Sequence, residues 1–251
     1  MDITITPATL DHIQDFRVLF LQENNFQFVG NKCHEYGWAD SYLFTVDGEK
    51  AGYGAVWGST RREERDAIFE FYVLRPFREW TSLIFTAFQA QCGATFIECQ
   101  SNDQLLSAML YEHARNIRAE AVLFEDTVTT HLSIPEVVFR RRLPEDNLGG
   151  DAGDYVLESH DRIVATGGLM LNYNLPYADV YMEVDTAFRE KGFGSLLVQE
   201  IKKEAYQIGR VPAARCNINN KASKATLLKA GFNICGFLLL GDLHKEILPD
   251  T

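Results

Sequence analysis

No basic surplus, no long apolar run and no patterned cysteine is found in the 251 residues. The five cysteines, Cys33, Cys92, Cys99, Cys216 and Cys235, are odd in number and scattered, without a C-x-x-C pair or a Cys/His cluster. That excludes a disulfide framework and a zinc site, so no metal is expected. No stretch nears the roughly 18 apolar residues that cross a bilayer, and Met1 to Leu10 lacks the basic start and apolar core of a signal peptide. The expectation is a cytoplasmic protein with no membrane partner. Lys and Arg number 24 against 35 Asp and Glu, a net −11, which leaves nothing from which to build the basic face that nucleic-acid phosphates require. The common nucleotide folds are excluded too: there is no G-x-G-x-x-G after a strand and no G-K-[ST].

Hydrophobic residues at 46% and charged residues at 24% are ordinary globular usage, and the length fits one long domain or two compact ones. Acidity is uneven, since Met1 to Asp126 carries 10 Lys and Arg against 19 Asp and Glu, a net −9, and the remainder a net −2. A strand is read at Ile3 to Thr6, then a helix from Pro7 to Leu21 with Leu10, Ile13, Val18 and Leu21 at helical spacing. Tyr42 to Val46 and Ala51 to Trp57, joined by Asp47-Gly48-Glu49-Lys50, form a hairpin. Strand, helix, strand, helix and strand follow at Ala67 to Leu74, Thr81 to Gln91, Ala94 to Cys99, Asp103 to Arg115 and Ala121 to Phe124.

The order then recurs. After a polar connector, Thr127 to Pro135, strands are read at Val137 to Arg141, at Tyr155 to Glu158 and Val164 to Leu171 around a His160-Asp161 turn, and at Asp179 to Val184. A helix at Gly194 to Ile208, a strand at Ala213 to Ile218, a helix at Ser223 to Ala230 and a strand at Phe232 to Leu240 complete it. Val73 to Leu83 aligns with Val184 to Gly194 without a gap, sharing Val and Phe-Arg-Glu. Each lies between a strand and an amphipathic helix. The division expected is a first copy at 1–126, a linker at 127–135 and a second copy at 136–251.

Arg189-Glu190-Lys191-Gly192-Phe193-Gly194 joins a strand to a helix whose Leu197, Ile201, Ala205 and Ile208 share one face. Glycines there let successive N–H groups face an anion beside a helix N-terminus, and Arg189 and Lys191 add full charges. With Val184 upstream, Asn220-Lys221-Ala222-Ser223 downstream and Lys229-Ala230-Gly231-Phe232 closing, the second copy resembles the GCN5-related N-acetyltransferases (GNAT). The first copy resembles a degenerate one, with Thr81 and Leu83 in place of the glycines.

The resemblance implies an α/β (α+β) fold, tandem mixed sheets flanked by helices. It implies acetyl-CoA held by the backbone at Val184 and by the loop Arg189, Glu190, Lys191, Gly192, Phe193, Gly194 and Ser195 with Asn220, and direct acyl transfer to an amine. Glu183 is the candidate base, with Asp185 next to it. The tyrosine that many members use to protonate the thiolate is replaced by Leu227, which leaves water, Asn220 or Ser223 beside the sulfur. Tyr155, Tyr173, Tyr177 and Tyr181 are expected to be packing or rim aromatics. Cys216 is expected to be a small buried hydrophobe rather than a nucleophile, and His160 and His244 to be surface residues. The acidic first half suits a small cationic acceptor, met by a monomer or a homodimer. The alternative function is a sensor that binds acyl-CoA without transferring the acyl group.

Overall fold

The computed structural model describes residues 1–23, 30–61, 63–150 and 152–243. They divide into two compact units, one of Met1–Glu120 with the chain from Gly236, the other of Ala121–Cys235.

The first unit opens with β1 (Ile3–Ala8), α1 (Leu10–Glu23) and the short α2 (Asn31–Glu35). An antiparallel run of β2 (Ala39–Val46), β3 (Glu49–Trp57) and β4 (Ala67–Val73) follows. β1 pairs with β2, in register from Ile3 opposite Val46. The β2–β3 turn carries Asp47 and Gly48 at φ 49° and 84°, the left-handed pair that matches strand twist in a two-residue hairpin and suits Asp-Gly. Next come α3 (Thr81–Cys92), β5 (Phe96–Gln100) and α4 (Gln104–His113), with β5 parallel to β4. Phe44, Phe71, Phe85 and Phe88 centre the core between this sheet and α3 and α4.

On the α1 side of this unit a buried polar cluster adjoins the apolar packing of Ile13, Phe16 and Phe20 on Tyr53 and Tyr72. Glu70 accepts from Arg17 Nε at 3.0 Å and Nη2 at 2.9 Å, and from the Tyr53 hydroxyl at 2.9 Å; His34 Nε2 lies 3.0 Å from the same carboxylate. Burial alone would raise the Glu70 carboxyl, yet the Arg17 guanidinium and His34 hold it far below the usual range.

The second unit repeats the pairing order. β7 (Val137–Arg141), β8 (Tyr155–Ser159), β9 (Arg162–Met170) and β10 (Tyr177–Val184) run antiparallel, each to the next. The β8–β9 turn places His160 and Asp161 at φ 49° and 58°. α5 (Phe193–Gln207) leads to β11 (Val211–Asn217), parallel to β10, and α6 (Lys221–Lys229) follows. α5 buries Leu197, Val198, Ile201 and Ala205 completely; three of these lie on the face that sequence spacing marks, whose fourth member, Ile208, is the C-cap and is 49% exposed.

Several strands depart from the expected boundaries, and two of them carry pairing that the sequence reading did not include. β6 runs Ala114–Asp126, longer than the Ala121 to Phe124 read from sequence, and its Ala121–Glu125 part pairs with β11. β12 runs Phe232–Leu243, and its Leu238–Asp242 part pairs antiparallel with β5. The linear division at 1–126 and 136–251 therefore differs from the compact units, because the last strand of the chain covers the edge of β5, whose backbone groups would otherwise be unpaired there. Segment 127–135 also differs from a linker, since it lies within the second unit and packs on α5. Lys202 Nζ donates to Val128 O at 3.0 Å and sits 2.5 Å from Asp126 Oδ1. Gln199 bonds to Thr130 Oγ1 at 2.8 Å and to both backbone groups of Leu132 at 2.6 and 3.1 Å.

Candidate active site

The site follows from two neighbouring strands that part. β10 and β11 stay in register only from Tyr177/Val211 to Asp179/Ala213. Beyond that point β10 remains paired with β9 up to Val184, and β11 with β6 up to Asn217, so each is held away from the other by its outer neighbour. The parted backbones retain donors and acceptors that no strand satisfies.

Past Val184 the chain makes a 3-10 turn at Thr186–Phe188, capped by the Asp185 carboxylate, which accepts from Ala187 N at 2.9 Å. Glu190 then takes φ 64° and Gly192 φ 88°. Gly192 is the N-cap of α5 and no side chain caps that end. The first bond within the helix is Leu196 N to Gly192 O at 3.1 Å. The amides of Phe193, Gly194 and Ser195 precede it and have no acceptor inside the helix, so an anion at the helix start meets N–H groups and the positive end of the dipole.

These elements line a cavity of about 740 Å3. Of the residues picked from sequence, Glu183, Val184, Arg189, Glu190, Gly192, Phe193, Gly194, Ser195, Asn220 and Ser223 all border it. Lys191 does not join them: its ammonium donates to Ala187 O at 3.3 Å and lies 5.2 Å over the Phe188 ring. Gly194 has a steric reason to be glycine, because a Cβ there would stand 3.2 Å from Thr226 Cγ2 and 3.3 Å from Val184 Cγ2. Ser195 Oγ bonds to Thr226 O at 3.2 Å and so ties the start of α5 to α6.

Asn220 is engaged in structure, since its Oδ1 caps α6 by accepting from Ser223 N at 2.9 Å. That bond uses the carbonyl oxygen and leaves the amide group for other partners. Glu183 is exposed on the cavity wall, whereas Asp185 is spent on its turn. Cys216 is buried with Ser223 as its hydroxyl partner, and burial raises the thiol above its usual range, the state of an inert side chain rather than a nucleophile. Leu227 is 4% exposed and lies outside the cavity lining.

The four tyrosines also lie outside that lining. Tyr155 bonds to Glu204 at 3.1 Å, Tyr173 to Arg215 at 3.2 Å, and burial raises Tyr177 and Tyr181. His160 is exposed beside Glu136; His244 lies outside the described residues.

Met182, Phe188, Ala222, Ala225, Thr226 and Lys229 also line the cavity; of these, sequence reasoning quoted Ala222 and Lys229 only as motif members and named none as a site residue. A signal for three of them was present. Ala222, Thr226 and Lys229 stand at i, i+4 and i+7, one face of a helix.

The acetyltransferase (GNAT) family model matches residues 121–232. No curated protein matches the chain. Solved structures do: an acetyltransferase from the GNAT family of Colwellia psychrerythraea is similar at 13% identity and a TM-score of 0.78, with 97% of this chain and 100% of that one covered. A GCN5-related N-acetyltransferase from Sphaerobacter thermophilus gives 13% identity and 0.60 over 97% and 96%. A tandem GNAT protein from the clavulanic acid biosynthesis pathway gives 10% and 0.62 over 97% and 99%. At such identities the structures speak for the fold, a mixed α/β sheet flanked by helices. The family match, the parted strands and the uncapped glycine turn coincide in one stretch of chain, residues 121–232, which is similar to the acetyltransferase (GNAT) family.

Proposed function

We propose that the second unit binds acetyl-CoA and transfers the acetyl group to the primary amine of a small cationic acceptor by direct attack in a ternary complex. The observation that carries this reading is the coincidence of the β10/β11 gap with the uncapped start of α5. A long thioester with a diphosphate needs both an extended strip of unpaired backbone and an anion site at its end. The fit is further supported by Gly194 and Arg189, which both border the cavity.

Each residue has a limited task. The Val184 backbone aligns the pantetheine arm, and the amides of Phe193, Gly194 and Ser195 hold phosphate oxygens. Holding donor and acceptor in one cavity supplies proximity, and N–H groups near the thioester carbonyl stabilise the charge that develops on its oxygen. Glu183 receives the proton that the acceptor ammonium must lose. Ser223, whose hydroxyl meets Cys216, stands where the leaving thiolate is protonated.

Burial of Leu227 at the family's tyrosine position favours a second reading, a sensor that binds acyl-CoA without turnover. Calorimetric titration with acetyl-CoA, followed by CoA release in the presence of a panel of polyamines, amino acids and aminoglycosides, separates the two. Saturable binding with amine-dependent release that rises with pH supports the transferase. Binding without release for every amine leaves the sensor, and no binding removes both.

A further inference from the structure

Arg189 and Lys191 are the two cations that the loop sequence offers to a diphosphate, but only Arg189 borders the cavity. Lys191 is turned back onto Ala187 O and the Phe188 ring. A third cation comes from another element. Lys229, at the end of α6, lines the cavity, and its Nζ lies 3.7 Å from where a Cβ on Gly192 would be. It stands directly beside the left-handed residue that opens the α5 amides.

Ile134 also borders Gly192, its Cδ1 lying 3.6 Å from the same point. Ile134 ends the strap that begins at Thr127, and buried groups fix that strap. Gln199, 4% exposed, bonds both backbone groups of Leu132, and Lys202, 5% exposed, bonds Val128 O. Gly231 completes the fastening: it sits at φ 90°, its carbonyl accepts from Val128 N at 3.2 Å, and a Cβ there would be 2.2 Å from Val128 O. The strap therefore makes the glycine of Lys229-Ala230-Gly231-Phe232 necessary, and it brings an apolar group beside the ammonium at Gly192.

We infer that Lys229, and not Lys191, is the lysine that meets the diphosphate of acetyl-CoA, beside Gly192 and next to the apolar group that Ile134 and its strap provide. The inference rests on the acetyl-CoA reading above and specifies which side chain gives it charge. A flexible ammonium acts on phosphate as a point charge and needs no bidentate geometry. Lys229 is exposed, so its removal leaves the core intact.

The test is calorimetry on the full chain with three ligands, acetyl-CoA, acetyl-3′-dephospho-CoA and S-acetylpantetheine, against the wild type, Lys229→Met, Lys229→Arg and Lys191→Met. Lys229→Met is expected to weaken the first two ligands equally, by about tenfold or more, with a shallower salt dependence. It should leave S-acetylpantetheine unchanged. Lys229→Arg should retain most of the affinity, and Lys191→Met should stay within about twofold of the wild type. The inference is overturned if Lys191→Met loses more than Lys229→Met, or if neither changes affinity. It is equally overturned if the Lys229→Met loss disappears with the dephospho ligand, which would put Lys229 on the 3′-phosphate. A wild type that binds none of the three ligands instead refutes the acetyl-CoA reading itself.

Discussion

The two glycines of the α5 turn answer different demands, and replacing each by alanine separates them. Gly192 sits at φ +88° with nothing closer than 3.6 Å to an added Cβ, so Gly192→Ala meets conformational strain and no clash. A non-glycine residue held in the left-handed region costs about 1–2 kcal/mol, and for a chain of this size that corresponds to a fall in Tm of about 2–8 °C. Gly194 lies within α5, where alanine gains about 1 kcal/mol of helix propensity. Its Cβ would stand 3.2–3.3 Å from Thr226 and Val184, tight enough that the two neighbours must give by a few tenths of an ångström. Stability is thus expected to change by less than about 1 kcal/mol, while a methyl group is added to the cavity wall beside the amides that meet the ligand. Thermal unfolding and acetyl-CoA calorimetry on both variants decide the matter. Gly192→Ala should lose Tm and keep measurable binding, and Gly194→Ala should keep Tm and lose most binding. If Gly194→Ala binds acetyl-CoA as the wild type does, the ligand does not approach the backbone at Gly194.

Other consequences are equally direct. Glu190 holds φ 64° on the cavity wall, so Glu190→Gly should hold or raise stability by up to about 1 kcal/mol and tighten acetyl-CoA by removing a like charge; weaker binding would show that this carboxylate assists the ligand. Glu70→Gln leaves the Arg17 guanidinium buried without its counter-charge and should destabilise by about 3–5 kcal/mol in urea titrations, and a loss under 1 kcal/mol would contradict the buried ion pair. Because the folded Glu70 carboxyl lies below its ordinary 4.5, its contribution is present above that pH and fades as pH falls below it. Asp103, the N-cap of α4, is 2% exposed, and burial lifts its carboxyl to about 7 against the pull of the Leu106 amide. The folded chain then holds a proton that the unfolded chain releases, so this group makes stability fall as pH rises from about 4 to about 7. Asp103→Asn, which retains a capping carbonyl as Asn220 does on α6, should flatten that slope in unfolding measured from pH 4 to 8, and an unaltered slope would place its cause elsewhere.

Local chemistry was legible in the residues themselves. The Asp47-Gly48 and His160-Asp161 turns, the buried face of α5 and the Arg189 to Gly194 junction are set by side-chain spacing and by which residues tolerate a left-handed backbone, and both properties are carried by neighbours in sequence. Ten of the site positions read this way border one cavity, because a strand, a turn and a helix start are contiguous in the chain and bring their residues with them. Tertiary structure decided the rest. That Lys229 reaches Gly192, that the polar stretch from Thr127 is fastened by Gln199 and Lys202, and that Leu238–Asp242 pairs with β5 all depend on partners more than 30 residues away. A lysine, a threonine-rich segment and an alternating strand look the same whether solvent or such a partner receives them. What distinguishes the outcomes is which distant donor, acceptor or strand edge is left unsatisfied, a condition that exists only once the chain has folded.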